Sequence, residues 1–438
     1  MRIYMTVIAL ASWAAVVVRS LARSAVPCVT SADLTTLSEL MKQVYDPVIQ
    51  EQQNLEATTW KDFEDGDDEL GGQGWFFENK MGGNQEGIGA RPERGDLPEA
   101  GFQRWKQGLI YWRLVYGAFE LTGPVIEAAK GNLKSFAAAR TEEIEGLTRD
   151  VIKDLNRQIY GDGSGILATA NGTDGANTFD VADGMYLRKN MVITVWTADT
   201  ANISSRSISN LTVNADGTMR VTYSGADGTI LAGDLVIRAG SATDVGGVRT
   251  GWELHGLKVI VDDGTSAATF ENIVRADYPL FKGNLLANAG TKRNISLDLF
   301  QQAEDSVVEM AGKRPDWIRM NLGQRRKFFD LVVGDRRYAG STFDAGYERL
   351  TFNGLTLTVD IDHPKSEITF LTKMSIKKYT LRKFGMLDFD GLVLRQVSGK
   401  DVWRGYVGMY GNLGSKRPNC NARLIDLQEP ATIVRVRG

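Results

Sequence analysis

The strongest pattern in the sequence is a narrow apolar stripe that begins after Pro124. With Arg140 counted in the series, its positions recur in steps of three and four, as on one side of an α-helix. These apolar positions are Leu133, Phe136, Ile144, Leu147, Val151 and Leu155. The predicted helix is Gly131–Tyr160, about 40 Å long at 1.5 Å per residue, and glycines follow it as stops. A single long helix with so narrow an apolar stripe is expected to pack across a β-sheet.

Strand-like patterns flank a long polar segment upstream of that helix. GWFFENKMG, from Gly74, and FQRWKQGLIYWRLVYGAFEL, from Phe102, enclose GNQEGIGARPERGDLPEAG. This order predicts a long β-hairpin whose polar tip leaves the body of the protein. The tip carries charges of both signs at Arg91, Glu93, Arg94, Asp96 and Glu99. The predicted anchors that seat the hairpin are the aromatic residues Trp75, Trp105 and Trp112.

Short strands and tight turns dominate residues 170–245. MVITVWT, SISNLTV and LAGDLVIRAG are separated by Asn-Ala-Asp-Gly and Ala-Asp-Gly turns, which predicts a small inserted β domain. Helices return at SLDLFQQAEDSVVEMAGKRP, with Ser296 as N-cap and Gly312 as stop. A strand DWIRMN, a helix LGQRRKFFDLVV and further strands around Leu355 and Leu357 follow. The fold class is therefore α+β.

The N-terminal 80 residues are predicted to precede the body of the fold. Residues 1–29 have the positive start, apolar run and small residues of a signal peptide. Alternatively the first 28 residues precede the natural start, because VTSADL, from Val29, opens like a capped helix. Residues 30–60 predict a short amphipathic helix, and acidic residues then crowd Asp62–Glu69. Their spacing does not fit an EF-hand calcium loop, so a solvated, mobile arm is expected.

Composition limits the chemistry that the chain offers. Its only histidines are His255 and His363 and its only cysteines Cys28 and Cys420, which excludes a disulfide framework and a thiolate zinc site. Both histidines are interpreted as structural or solvent-exposed. The formal net charge of −3 provides no basic footprint for wrapping nucleic acid. Phosphate-binding, dinucleotide-binding and hydrolase motifs are missing from the sequence, so we expect no enzyme, no metal site and no cofactor.

The order of these parts resembles the major capsid proteins of tailed bacteriophages of the Hong Kong 97 type. The stretches that carry the resemblance are RPERGDLPEAGFQRW, GAFELTGPVIEAA, RQIYGDGSGIL and YGNLGSKRPNCNARLIDL. It covers about residues 30–430 and implies that fold. The implied division is a leader at 1–29, an N-arm at 30–80, an extended loop at 81–110, a peripheral domain with its spine helix at 111–169, an inserted β domain at 170–245, an axial domain with connections at 246–350, and axial and peripheral strands with the C-terminus at 351–438.

The resemblance also implies a function and partners. The subunit would assemble through hexamers and pentamers, in the host cytoplasm, into the icosahedral shell of a virion that encloses double-stranded DNA. A separate scaffolding protein and a portal are implied partners, a decoration protein is a further candidate, and no membrane is involved. Arg94-Gly95-Asp96 is then part of an intersubunit loop. Two alternatives stay open: an encapsulin-like bacterial shell protein, and a secreted β-rich adhesin that uses this tripeptide.

Overall fold

The structure is a computed structural model that describes residues 58–66, 69–124, 133–173, 177–225, 228–336, 350–388 and 392–429. The leader at 1–29 and most of the helix predicted at 30–60 lie outside these residues. The helices are α1 (Thr58–Asp62), α2 (Leu133–Ile159), α3 (Leu257–Ile260), α4 (Leu297–Ala311) and α5 (Leu322–Arg336), with 3-10 turns at Pro279–Phe281 and Pro418–Cys420.

The strands include every β segment that the sequence predicts. In chain order they are β1 (Glu64–Asp65), β2 (Glu69–Leu70), β3 (Gly74–Gly82), β4 (Arg104–Tyr111), β5 (Arg113–Thr122), β6 (Ile166–Thr173), β7 (Thr178–Val181), β8 (Val192–Thr197), β9 (Thr200–Val213), β10 (Met219–Tyr223), β11 (Ala232–Arg238), β12 (Ala242–Val245), β13 (Val248–Gly251), β14 (Thr269–Phe270), β15 (Ile273–Val274), β16 (Asn284–Leu286), β17 (Trp317–Met320), β18 (Thr351–Phe352), β19 (Leu355–Val359), β20 (Ile368–Leu371), β21 (Ile376–Met386), β22 (Leu394–Gln396), β23 (Val402–Ser415) and β24 (Ala422–Leu424).

The predicted long helix is confirmed as α2, and it lies on a five-stranded sheet. In this sheet β23 pairs with β5 on one side and with β21 and β22 on the other, and β1 pairs with β21. Residues on β5 alternate between buried and exposed. Gly117 is on the buried face, where a Cβ would lie 2.7 Å from a methyl group of Val151 and 3.2 Å from one of Leu147. Glycine therefore permits the close approach of helix and sheet.

The apolar stripe of α2 faces this sheet over the part whose side chains are described. Ile144, Val151 and Leu155 are buried and Leu147 is half-buried. The side chains of the other two predicted members, Leu133 and Phe136, lie outside the described set. The stripe thus supplies the apolar side of a two-layer helix-on-sheet unit.

A buried polar network holds α1 against the C-terminal end of α2. The Tyr160 hydroxyl lies 2.9 Å from Thr59 Oγ1 and donates to Asp360 at 2.9 Å. Arg319 donates to Thr59 at 3.0 Å, and Asn156 donates to Asp360 at 3.1 Å. Burial opposes ionisation of Asp360, but hydrogen bonds from the Thr59 hydroxyl, the Asp362 amide, Tyr160 and Asn156 hold its pKa below the usual value. The network joins the start of the described chain to both α/β units.

Part of the acidic run is docked, contrary to the prediction of a solvated, mobile arm. Trp60 is buried, and β1 pairs in parallel with β21. Glu64 lies 3.4 Å from Lys373, and Asp65 lies 3.4 Å from Lys378. The side chains of Glu64 and Asp65 stay exposed, as predicted. The pairing of their strand was not predictable because the basic strand that receives it lies far along the chain.

The β-rich segment closes into a barrel with its own core. Its six strands follow the order β10-β7-β6-β11-β8-β9. The interior is apolar and includes Phe179, Val181, Ile193, Val195, Ile208, Val221 and Val236. The barrel strands extend from Ile166 to Arg238, and the separate ribbon β12–β13 lies outside the barrel. Because its core is a distinct cluster, the barrel packs as a unit of its own.

The second α/β unit contains a six-stranded sheet in the order β16-β24-β20-β17-β19-β18. Phe300 of α4 lies with its ring centroid 5.0 Å from that of Phe328 in α5 and 5.6 Å from that of Phe370 in β20. Both helices therefore pack on the same face of this sheet. The predicted ends of α4 are confirmed: the Ser296 side chain accepts from the amide of Leu299, and Gly312 has φ 68°.

His363 is fully buried and His255 is half-buried, which supports the structural interpretation. Burial, and secondarily the Arg113 guanidinium 3.3 Å from Nε2, lowers the pKa of His255 to about 3. The pKa of an unfolded histidine is about 6.5, so unfolding between these values takes up a proton and acid destabilises the fold.

Between pH 6 and pH 4 we therefore expect the free energy of unfolding to fall more steeply in the natural chain than in His255→Gln. The expected difference in slope is about 1.4 kcal/mol per pH unit, the value for one proton. Urea denaturation of both proteins across this range measures it. Above pH 7.5 the two slopes should agree, which serves as the internal control. Parallel slopes at acid pH would show that His255 does not stay neutral in the folded protein.

Candidate functional site

The candidate site is the hairpin formed by β3 and β4. Its pairs run from Gly74 with Tyr111 to Gly82 with Arg104, in antiparallel register. The tip, residues 83–103, contains no regular strand or helix. The predicted hairpin stem is therefore confirmed, and it carries a long irregular tip beyond its last pair.

Aromatic side chains hold the root of this hairpin. Trp75 is buried, with its ring centroid 5.6 Å from that of Tyr379 and 6.5 Å, edge-on, from that of Trp112. Phe77 stacks on Phe281 at 6.5 Å. Burial of a large apolar side chain contributes about 1.5–3 kcal/mol, so this cluster fixes the root firmly. Trp75 and Trp112 lie at the position that the sequence predicts for anchors.

Trp105 differs from that expectation. It pairs with Lys80 across the hairpin, and 63% of its surface is exposed. All four residues from Arg104 to Gln107 are exposed. This part of the stem has already left the body, so nothing within the described chain covers the Trp105 ring. Within its own subunit it does not seat the hairpin.

The five predicted tip residues, Arg91, Glu93, Arg94, Asp96 and Glu99, are all exposed. Within the described part of the chain, their side chains make no hydrogen bond or ion pair. Arg94 has φ 68°, and the next amide, of Gly95, donates to the carbonyl of Pro92 at 2.9 Å. Arg94 and Gly95 therefore lie in a tight turn that Pro92 begins, and Asp96 directly follows it.

Exposed apolar residues accompany these charges, which sequence reasoning missed. Leu97 is 85% exposed, Ile88 74% and Phe102 71%. In the sequence they are isolated apolar positions within a polar segment, and that isolation was the available signal. Together with Trp105 they give the projecting hairpin an apolar surface beside mixed charges, the composition of a protein-binding surface.

A second candidate site is a cleft of about 790 Å³ between α2 and the barrel. Its buried Arg157 lies 3.0 Å from Asp154 and 2.5 Å from Glu253, and Arg238 lies 3.0 Å from Asp154. Burial opposes ionisation of Asp154, but the two arginines hold its pKa below the usual range. These groups pair with one another as a buried ionic network, which also perturbs pKa values where it plays a structural role.

Over the described ranges, no group of three or more histidine, cysteine, aspartate or glutamate residues is placed to hold a metal ion. No helix in those ranges is long and apolar enough to span a membrane.

No protein-family model and no curated protein matches the sequence. Among solved structures, the chain is similar to the capsid of cyanophage A-1(L), with 10% identity, a TM-score of 0.52, and coverage of 86% of this chain and 93% of that one. It is also similar to the capsid of a native GTA particle, with 10% identity, a TM-score of 0.44, and coverage of 85% and 91%. The SrpI encapsulin of Synechococcus elongatus PCC 7942 has 14% identity, a TM-score of 0.25, and coverage of 37% and 60%. The last two similarities are too low to assign a fold, whereas the first shows that this chain shares the fold of the protein in the cyanophage A-1(L) capsid.

Proposed function

We propose that this chain is the major capsid protein of a tailed bacteriophage, with a Hong Kong 97-type fold. The observation that carries the proposal is the fold shared with the cyanophage A-1(L) capsid protein over 86% of the chain. In this function the subunit self-assembles through hexamers and pentamers into an icosahedral shell around double-stranded DNA. It acts as a structural component of the virion and not as an enzyme.

The hairpin supports this proposal because it adds contact area without enlarging the core. Its root is fixed by buried aromatic rings, while its outer stem and tip expose Leu97, Phe102 and Trp105. These side chains become buried when the hairpin lies on a neighbouring subunit. The mixed-sign charges at the tip then favour one docking register, since electrostatic complementarity contributes more to specificity than to affinity.

The remaining parts of the chain are assigned by position. Residues 30–80 act as the N-arm, 81–110 as the extended loop, and 111–169 as the peripheral domain with α2 as its spine. The barrel is the main part of the inserted domain at 170–245, and residues 246–350 form most of the axial domain. A net charge of −3 suits a wall that contains DNA without gripping it tightly. Scaffolding, portal and decoration proteins are the expected partners.

Electron microscopy tests this function directly. The chain expressed from Val29 with an added methionine, alone and together with its neighbouring genes, is expected to form closed angular shells tens of nanometres across. Particles containing DNA support a phage capsid, while particles containing a protein cargo indicate an encapsulin-like compartment. A stable monomer under both conditions would contradict the shell function and favour a receptor-binding role for Arg94-Gly95-Asp96.

A further inference from the structure

The solvent face of α4 carries a line of acidic residues. Asp298, Asp305 and Glu309 are exposed and are spaced by seven and four residues, which places them on one stripe of the helix. Phe300 and Val307 face the core from the opposite side. The whole of Leu297–Ala311 contains no lysine or arginine. The charged side chains on this stripe are therefore all anionic.

The solvent face of α5 has the complementary composition. Leu322, Arg326 and Phe329 are exposed and are spaced by four and three residues, on one stripe, with exposed Arg325 beside it. Within the described residues, the side chains of Arg325 and Arg326 make no ion pair or hydrogen bond. Exposed Asp330 lies on the other flank. This surface combines arginine with large apolar side chains, the residues that most often dominate binding energy at interfaces.

The two faces cannot meet within one subunit. Phe300 and Phe328 hold the buried sides of α4 and α5 together, so both charged faces point away from the sheet into solvent. Each helix has 15 residues, or about 22 Å at 1.5 Å per residue. The faces therefore match in length as well as in charge.

The symmetry of the assembly limits which of these faces can contact each other between two copies of the subunit. A two-fold contact of either face with its own copy would oppose like charges. A contact of α4 in one copy with α5 in the next joins unlike faces, and repeated by rotation it closes a ring. Apolar Val308, exposed on the flank of the acidic stripe of α4, complements the exposed Leu322 of the neighbouring α5 in such a contact.

We propose that α4 of each subunit packs against α5 of its neighbour within the rings of the shell. Asp305 and Glu309 then face Arg325 and Arg326 of the adjacent copy. This inference rests on the proposed shell function and specifies one contact of it. Because the pairing is heterologous, every subunit contributes one acidic and one basic face.

A charge exchange tests the contact in the full chain. Reversal of the acidic face, Asp305→Lys with Glu309→Lys, and reversal of the basic face, Arg325→Glu with Arg326→Glu, are each expected to lower the yield of particles at least tenfold. Combination of the four substitutions restores the pairing with its sign inverted, and the yield should return to within about threefold of the natural chain. The matched control is Lys153→Glu with Lys189→Glu, which reverses two exposed cations beside the cleft and should leave the yield unchanged.

Mixing gives a second readout that does not need the fourfold variant. After reversal of the acidic face, both helices of a subunit are basic, and after reversal of the basic face, both are acidic. The two variants can therefore attract each other only in alternating order. Alternation can close a ring of six subunits but not a ring of five. Circular dichroism of each variant shows whether it is folded. Full yield from either reversal, or failure of both the combination and the mixture to exceed the single reversals, would overturn the contact. The proposed shell function fails separately, if the natural chain forms no particles.

Discussion

Replacement of Arg275 by methionine is expected to lower the free energy of unfolding by about 3–5 kcal/mol, the usual result of breaking a buried ion pair. Arg275 and Asp262 have fully buried side chains, 3.4 Å apart. Arg275 also donates to the carbonyls of Val259, Ile260 and Ala267 at 2.7, 3.1 and 3.0 Å. Methionine fills much of the space but leaves the carboxylate and three carbonyls without these donors.

Asp262 explains why the loss should be large. Its carboxylate accepts from the amides of Gly264 at 2.9 Å, Ser266 at 3.2 Å and Ala267 at 3.0 Å. It therefore shapes the loop that follows α3, and Arg275 closes this loop from the other side. Without the Arg275 guanidinium, the buried Asp262 carboxylate is stabilised only by hydrogen bonds from the loop. Otherwise the loop must open and expose this carboxylate to water.

Urea denaturation of the unassembled subunit measures this loss. The matched control is Arg104→Met, which removes an exposed arginine 3.8 Å from Glu86 and should cost less than about 1 kcal/mol. Addition of Asp262→Asn to the Arg275 variant removes the unpaired charge and should recover part of the loss, as a double-mutant cycle detects. A cost below 1 kcal/mol for Arg275→Met would show that the pair contributes no more than a surface contact.

The sequence predicts the local elements well because their signals are local. The serine cap and glycine stop of α4, the apolar stripe of α2 and the alternation of β19 each depend on residues within a few positions of one another. The hairpin stem is equally local, since its strands flank one polar segment. These elements form as predicted because neighbouring positions decide them.

Long-range pairing could not be predicted from the same patterns. The strands of the barrel are visible in the sequence, but its closure depends on the pairing of β6 with both β11 and β7. The docking of β1 depends on Lys377 and Lys378, far along the chain. Both outcomes are decided by complementary partners whose separation in sequence leaves no periodic signal.

The site shows the same division. An irregular tip was predictable because a polar, glycine-rich segment of this length has no core to pack on. Trp105 was misjudged because an aromatic side chain in a strand is usually buried, and only the three-dimensional path shows that its strand has left the body. Residues that bind another molecule are often apolar, like core residues, but are exposed to solvent in the isolated subunit. Leu97, Phe102 and Trp105 all have this combination.

Exchange of the charges at the turn, Arg94→Glu with Asp96→Lys, is expected to reduce the yield of assembled particles at least tenfold. The exchange keeps the net charge of the tip and changes only the order of signs. Like charges brought together in a contact cost several kcal/mol, and a tenfold change needs only about 1.4 kcal/mol. Since both side chains are exposed without a partner in the described chain, the free energy of unfolding should change by less than about 0.5 kcal/mol.

A charge exchange outside the hairpin separates docking from general electrostatics. Glu145→Arg with Arg149→Glu inverts a 3.8 Å ion pair on α2 and preserves attraction between the two positions, so particle yield should stay near that of the natural chain. Gel filtration and negative-stain microscopy of both variants measure the outcome. Loss of assembly in the tip variant alone, with an unchanged urea midpoint, means that neighbouring subunits recognise the order of charges on this turn. Normal yield from the tip variant would mean that the charges are spectators and that the apolar stem around Trp105 carries the contact.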